Sequence, residues 1–268
     1  MDPKLEEKIK NSGNNLVMRV VGFLEKLNWT VDLSTYYYDD TTEKPREIDI
    51  IASKHVKIIE DRDHLDSFKV NLFIECKHFL NDVAFWLHDN DKGKALSAIK
   101  LVNMHTEGEI KKSSDFQQHH YLTVSYVGKL SDALKDDENS VFNAITQPVK
   151  SLIFFKENNP VRGIYYPITI YSGISGIQLI DKQGKVTSQE AVIYGLYYSY
   201  RFRQEQQIKT EYFCVDFVHE NRMSDFFKRI DGEVSILENH LRNSAIDATI
   251  ASQARVMRNN QNFRNSNR

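Results

Sequence analysis

Two short apolar segments carry acidic residues in positions that a solvated surface does not explain. Arg46–Ala52 holds Asp49 between two isoleucines, and Asn71–Lys77 holds Glu75 two residues before Lys77. Two carboxylates held close together repel each other unless a cation lies between them, and oxygen ligands suit Mg²⁺ or Mn²⁺. A lysine beside such a site can orient an attacking water molecule and stabilise its hydroxide form. These residue types therefore predict metal-assisted hydrolysis of a phosphodiester.

The two segments must be neighbouring β-strands for this chemistry to work. Both have strand composition, and side chains along a strand alternate between its two faces. Alternation puts Asp49 on the same face as Glu47, and Glu75 on the same face as Lys77. If the strands are neighbours, Asp49, Glu75 and Lys77 converge at one end of the sheet. The backbone carbonyl of Cys76 is a candidate for a further metal ligand.

Glu-x-Lys alone is a weak signal, because the chain contains it three times, at Glu6/Lys8, Glu75/Lys77 and Glu109/Lys111. Only the Glu75 copy ends an apolar strand that follows another strand with an embedded aspartate. The structural alternative is a buried ion pair between Lys77 and either Asp49 or Glu75. Such pairs stabilise proteins poorly, and burying charges is costly. We therefore favour the catalytic interpretation.

The order of a helix, a strand, Arg46–Ala52, a loop and Phe73–Lys77 resembles the PD-(D/E)XK nuclease superfamily, which has a restriction-endonuclease-like fold. The resemblance implies that Asp49 and Glu75 bind a divalent metal, Mg²⁺ or Mn²⁺, and that Lys77 assists the nucleophilic water. It implies an α/β (α+β) domain with a mixed central sheet flanked by helices. The implied function is a metal-dependent DNA endonuclease in a prokaryotic restriction, repair or anti-phage setting.

The chain departs from the family pattern in three places. The proline of the Pro-Asp motif is Ile48 here. Many members carry a glutamate on the first helix, where this chain has asparagines and apolar residues, so the third acid is either Glu47 or absent. The 26-residue step from Asp49 to Glu75 is longer than a tight hairpin, which implies an insertion around Asp61–Asp66.

The surrounding elements predict extra C-terminal strands and a long closing helix. Apolar residues repeat on one helical face over Leu16–Leu27, with Gly13 and two asparagines interrupting the helix upstream. A short helix is predicted over Lys94–Thr106, and Val141–Phe155 predicts a helix that leads into a strand. Ser224 is predicted to cap the closing helix together with Asp225. The predicted strands are Trp29–Tyr38, Arg46–Ser53, Val70–Lys77, Tyr121–Val127, Ile164–Tyr171, Ile177–Ile180, Ala191–Phe202 and Tyr212–Val218.

Composition sets the broader class. The 268 residues are 41% hydrophobic and 27% charged with a net charge of -2, which excludes global disorder and coating of nucleic acid by charge alone. Apolar runs such as Ser151–Phe155 are too short to cross a membrane, and the N-terminus has no apolar signal core, so we expect a cytoplasmic protein. Cys76 and Cys214 form no disulfide framework. We expect one nuclease domain over residues 1–252 and a basic, flexible tail over residues 253–268.

The expected partner is nucleic acid, double-stranded DNA first, with RNA left open. Arg201, Arg203, Arg255 and Arg258 are candidate phosphate-binding residues, although a polar tail explains the last two equally well. A homodimer or a complex with a specificity or sensor subunit is expected, and no membrane partner. The alternative function is a catalytically silent nuclease-like module that binds nucleic acid or a protein partner.

Two further patterns are interpreted as having no part in the chemistry. Gln117 and Tyr121 have the Gln-x-x-x-Tyr spacing of exonuclease-like family members, but their polar surroundings favour coincidence. His78, which follows Lys77, alternates away from it and is predicted to be a satisfied polar residue at the strand end.

Overall fold

The computed structural model describes residues 12–61, 64–104, 117–133, 138–158, 162–202 and 207–243, together with Lys4, Glu6 and Ile9. The helices are α1 (Gly13–Lys26), α2 (Lys92–Val102), α3 (His120–Thr123), α4 (Glu138–Asn158) and α5 (residues 223–243). The strands are β1 (Thr30–Asp39), β2 (Lys44–Asp61), β3 (His64–His78), β4 (Val83–Asp89), β5 (Asn103–Met104), β6 (Tyr126–Ala133), β7 (Gly163–Ser172), β8 (Ile177–Ile180), β9 (Val186–Gln189), β10 (Ala191–Phe202) and β11 (Gln207–His219).

These strands form one mixed sheet in the order β1-β2-β3-β7-β11-β10-β6-β4-β8-β9, with the short β5 paired to β7. β1, β2 and β3 form an antiparallel meander. β7 then lies parallel to β3, and β11 parallel to β7. The chain returns to β7 after α4, which packs on both β3 and β7. The expected α/β class with a mixed sheet flanked by helices is confirmed.

One face of the sheet packs against α1 and α5. The helix α1 buries Leu16, Val20 and Leu24 in this core, and Ile50 and Ile74 contribute from β2 and β3. The predicted helical faces are thus the faces that are removed from water, which is the main favourable contribution to folding. The α5 residues in the same core are Phe226, Phe227, Ile230, Val234, Leu237 and Leu241.

The opposite face packs against α4. Phe73 of β3 shares a core with Ile145 and Leu152 of α4. Successive side chains along a strand point to opposite faces, so Phe73 faces α4 whereas Ile74 faces α1 and α5. The predicted alternation in β3 is confirmed, and it directs Glu75 toward α4.

The hairpin β2–β3 accounts for the long step between the two acids. Both strands continue well beyond their predicted bounds, and they pair antiparallel as far as Asp61 and His64. A register shift between Lys57 and Ile59 marks a bulge. The extra residues therefore lengthen the hairpin.

Several predicted elements were wrong in type or bounds. Residues after Tyr121 do not form a strand directly, because the helical turn α3 comes first and β6 begins at Tyr126. The helix α4 runs on through Phe155, with Pro148 inside it, so the predicted strand there does not form. Phe154 and Phe155 instead pack against aromatic rings of β1 and β3 in a tilted geometry, and this tertiary packing outweighs their strand preference. β4, β5 and β9 were not predicted, and β5 occupies Asn103–Met104, which the predicted helix over Lys94–Thr106 included.

The helices α1 and α5 begin differently from the prediction. Ser12 caps α1 by accepting the Asn15 N–H at 3.2 Å, so Gly13 starts the helix instead of interrupting it. A 3₁₀ turn precedes α5 and is capped by His219, which places Ser224 inside the first turn of α5. Both cysteines are buried and free. Among the described residues, no helix combines the length and the apolar character needed to span a membrane.

Candidate active site

Asp49 and Glu75 meet where the regular β2–β3 ladder ends. The ladder pairs Ile50 with Ile74. One residue further, Asp49 Oδ2 accepts the backbone N–H of Cys76 at 2.7 Å. The Asp49 side chain thus takes the place of a backbone acceptor. Because Cys76 directly follows Glu75, this bond holds the Asp49 carboxylate beside Glu75.

Glu75 lies in the interior of the sheet, with only 7% of its surface exposed. Its neighbour on β7 is Thr169, whose hydroxyl donates to the carbonyl of Ala144 at 2.5 Å and ties α4 to the sheet. From α4, the Gln147 amide faces the Glu75 carboxylate. With its nitrogen turned toward the carboxylate, Gln147 donates to Oε1 at 2.5 Å and to Oε2 at 3.1 Å. Gln147 therefore orients the Glu75 carboxylate from α4.

The acids form one electrostatic group with Lys77. Burial raises the pKa of Glu75 well above its usual range, the charges of Asp49 and Glu47 raise it further, and Lys77 opposes them. Burial also raises the pKa of Asp49, and the negative charge of Glu47 raises it further. The hydrogen bond from the Cys76 N–H and the positive charge of Lys77 both lower it, but they do not cancel the rise. Negative charge thus exceeds positive charge in a partly dehydrated site. Such a site favours either protons or a bound cation.

The residues fit a hard divalent cation. Two carboxylates converge, and Asp49 Oδ1 remains for a ligand because Oδ2 is occupied by the Cys76 N–H. Buried carboxylates with raised pKa values gain most from a neutralising cation, and oxygen donors favour Mg²⁺ or Mn²⁺. Asp49 and Glu75 would hold the ion. The Cys76 carbonyl and Glu47 stay predicted ligands.

Lys77 does not form the buried ion pair that was the structural alternative. It is half-buried, and within the described part of the chain its ammonium makes no hydrogen bond and no ion pair. It still lies close enough to lower the pKa of Asp49 and Glu75. A lysine that faces two carboxylates without pairing to either can donate to a water molecule or a phosphate oxygen.

Tyr37 is a site residue that sequence reasoning missed. Its side chain is 2% exposed, its ring packs on Phe154, and its hydroxyl has no hydrogen-bond partner among the described residues. Burial raises the pKa of Tyr37, and Asp39 and Glu75 raise it further. The hydroxyl is thus a spare donor near the acids.

Gln147 was missed as well. The signal available in the sequence was a glutamine within a buried, mostly apolar stretch of α4. Polar residues on a packed helix face need a partner, but nothing in the local pattern shows that the partner is Glu75. Only the α4–β3 packing does so.

Of the four predicted phosphate-binding residues, the structure describes Arg201. Arg201 is exposed on β10 and borders a small hollow with Lys150 and Tyr198. Arg203, Arg255 and Arg258 lie outside the described residues. As predicted, His78 is satisfied, bonding Ser172 Oγ at 2.9 Å.

The Gln117–Tyr121 pattern lies away from Asp49 and Glu75. Tyr121 packs in a core with α2 residues on the other face of the sheet. Its hydroxyl donates to Asp216 of β11 at 3.0 Å. The interpretation of this pattern as coincidental agrees with that placement.

No family model, no curated protein and no solved structure matches the chain.

Proposed function

We propose that this protein is a divalent-metal-dependent nuclease of the PD-(D/E)XK type, acting as a DNA endonuclease. The observation that carries the proposal is the bond from the Cys76 N–H to Asp49 Oδ2. It holds one carboxylate beside the buried Glu75 while leaving an oxygen free for a cation. Folding alone does not explain two neighbouring acids whose pKa values are raised by burial and by each other.

The arrangement of elements supports a restriction-endonuclease-like fold. A helix precedes the β1–β3 meander, and the next strand of the same sheet, β7, is parallel to β3 and follows a helix that packs on both. The acids lie on the two strands in the middle of this unit. Fold likeness alone does not establish activity, so the proposal depends on the site.

In the proposed reaction, water attacks the phosphorus of a phosphodiester in line with the leaving oxygen. A bound Mg²⁺ or Mn²⁺ would supply Lewis-acid stabilisation of the developing charge. Asp49 and Glu75 would hold that ion, and Gln147 would keep Glu75 in place. The Lys77 ammonium orients the attacking water and stabilises its hydroxide form.

The biological setting is part of the proposal. Double-stranded DNA is the proposed substrate, bound by a homodimer or a complex with a specificity or sensor subunit. A cytoplasmic restriction, repair or anti-phage role follows from the same resemblance. The candidate phosphate contacts are Arg201, Arg203, Arg255 and Arg258.

The test is cleavage of supercoiled plasmid, with single-stranded DNA and RNA alongside, in Mg²⁺, in Mn²⁺ and in EDTA. Wild-type protein is compared with Asp49→Asn and Lys77→Ala. The matched controls are Asp82→Asn and Lys185→Ala, which change the same residue types at exposed positions. We expect metal-dependent nicking that both site variants lose and both controls keep.

Two results would overturn the proposal. Cleavage retained in Asp49→Asn and Lys77→Ala would place the activity elsewhere. If the wild-type protein showed neither cleavage nor Mn²⁺ binding in calorimetry, the proposed metal site would be refuted. Mn²⁺ binding that depends on Asp49 but supports no cleavage of any substrate would instead support the silent-module alternative.

A further inference from the structure

A second group of ionisable side chains lies on the face of the sheet opposite Asp49 and Glu75. Along β11, Val215 and Phe217 face α4, whereas Cys214 and Val218 belong to cores on the other face. Strand alternation puts Asp216 on that other face. It meets residues of the α3 turn and of α5 there.

His120 lies at the centre of this group, between two carboxylates. Its Nδ1 lies 2.8 Å from Glu233 Oε1, and its Nε2 lies 3.0 Å from Asp216 Oδ1. The His120 backbone N–H also donates to Glu233 Oε1, at 2.8 Å. Tyr166 donates to Glu233 Oε2 at 3.3 Å. Burial opposes the charged imidazolium, but Asp216 and Glu233 outweigh it and raise the pKa of His120 to about 10.

His119 has a buried nitrogen without a hydrogen bond. The residue is 7% exposed, and among the described residues its Nε2 has no hydrogen-bond partner. That atom is directed at the cluster, 3.8 Å from Glu233 Oε2. Burial and the positive charge of His120 lower the pKa of His119 to about 3, so the ring is neutral. An unpaired buried polar atom carries a cost that a ligand can remove.

We propose that His119, His120 and Glu233 form a binding site for a zinc-class transition metal ion. One nitrogen from each imidazole and one carboxylate oxygen lie within 4.8 Å of one another. Two imidazoles and a carboxylate favour Zn²⁺ over Mg²⁺ and Mn²⁺. Asp216 completes the arrangement, because a carboxylate on the far nitrogen of a ligating histidine orients the ring and makes it a better ligand.

Loading the site requires two proton movements. The proton between His120 Nδ1 and Glu233 leaves, as expected when a metal replaces a proton at a shared site. On His119 the proton moves from Nε2 to Nδ1, which gives up the bond from the Tyr121 N–H at 3.2 Å. A cavity of about 260 Å³ is lined by His120, Asp216 and Arg229, so it borders the group at Asp216, which supports His120.

The site would tie three separate segments together. His119 and His120 belong to the α3 turn, Glu233 to α5, and Asp216 supports the turn from β11. The bound ion would therefore stabilise the packing of α5 on the sheet, on the face away from the proposed nuclease site. The inference does not depend on nuclease activity.

The experiment uses the full chain carrying Asp49→Asn, so that the other proposed metal site is disabled. Protein freed of metal with EDTA is titrated with Co²⁺, whose visible absorption reports nitrogen and oxygen ligation, and then with competing Zn²⁺. The test variant is His119→Asn, because asparagine can still cap the turn but lacks Nε2. The matched control is His219→Asn, since His219 is equally buried and caps its own turn through Nδ1 at 3.2 Å.

We expect a single Co²⁺ ion per chain, displaced by Zn²⁺, and a thermal midpoint that rises on loading. His119→Asn should weaken binding by more than about tenfold, while His219→Asn should bind as the parent does. Circular dichroism of each metal-free variant checks that it is folded. The inference is overturned if the folded parent shows no visible Co²⁺ bands, or if His119→Asn binds as tightly as His219→Asn. Either outcome leaves plasmid cleavage by the wild-type protein untouched.

Discussion

Asp49 Oδ2 accepts the backbone N–H of Cys76 at 2.7 Å, and Cys76 is the residue that separates Glu75 from Lys77. One hydrogen bond therefore sets the position of the first acid relative to both remaining site residues. The same bond lies where the regular pairing of β2 with β3 ends.

Replacing Glu75 with glutamine should stabilise the metal-free protein. The pKa of Glu75 is raised in the folded protein. At a pH between the usual glutamate pKa and this raised value, the folded protein therefore holds a proton that the unfolded chain has released. Stability contributed by this group is complete at low pH and is lost as pH rises toward the folded pKa. Glu75→Gln removes that loss.

The measurement is thermal unfolding in EDTA across a pH series. At neutral pH we expect Glu75→Gln to melt a few degrees above the parent, since about 1 kcal/mol corresponds to roughly 2–4 °C at nearly this size. Glu25→Gln, on the exposed side of α1, should change little. A lower midpoint for Glu75→Gln than for Glu25→Gln at neutral pH would contradict the prediction.

Stability should also fall at alkaline pH because of His120. Its folded pKa of about 10 exceeds the unfolded value of about 6.5. The stabilisation is therefore fully present below pH of about 6.5 and disappears as pH rises toward 10. Denaturant titrations in EDTA at a series of pH values measure how steeply the free energy of unfolding falls with pH.

The variant His120→Ala should lose this slope and about 3–5 kcal/mol of stability, because Asp216 and Glu233 would stay buried without their partner. His55→Ala removes an exposed histidine and should keep the slope. If the stability of His120→Ala fell equally at alkaline pH, the decline would come from other titratable groups.

Gln147→Leu should reduce nuclease activity more than stability. Leucine has a similar volume but cannot donate to the Glu75 carboxylate, and loss of a residue that orients a metal ligand costs roughly 10–100-fold in metal affinity or activity. Nicking rates at several Mn²⁺ concentrations separate weaker metal binding from slower cleavage. Gln117→Leu, at an exposed position, is the control and should cleave as wild type does.

Tyr37→Phe should not destabilise the protein, because the Tyr37 hydroxyl has no partner among the described residues. Tyr194 provides the contrast, since its hydroxyl donates to the Lys129 carbonyl at 2.8 Å. Tyr194→Phe should cost about 0.5–1.5 kcal/mol. Urea unfolding of both variants tests this pair, and an equal loss in Tyr37→Phe would show that its hydroxyl is bonded in solution.

Local patterns in the sequence were sufficient for the elements that hold the acids. Alternation of apolar and acidic residues identified β2 and β3 and the faces of Asp49 and Glu75, because side-chain direction along a strand depends only on its period of two. The apolar faces of α1 and α5 were equally readable from helical spacing. These features follow from residues that are near one another in the chain.

The tertiary structure decided what surrounds the acids and what lies on the far side of the sheet. Phe154 and Phe155 stay helical because they pack on β1 and β3, and Gln147 reaches Glu75 only through that packing. His120 and Glu233 are separated by 113 residues, so no local pattern could show that they share a proton. By itself the sequence determined which residues could do chemistry and which way their strands point them. The partners and ionisation of those residues depend on burial and on charges brought close from distant parts of the chain, and these exist only once the sheet and its helices have packed.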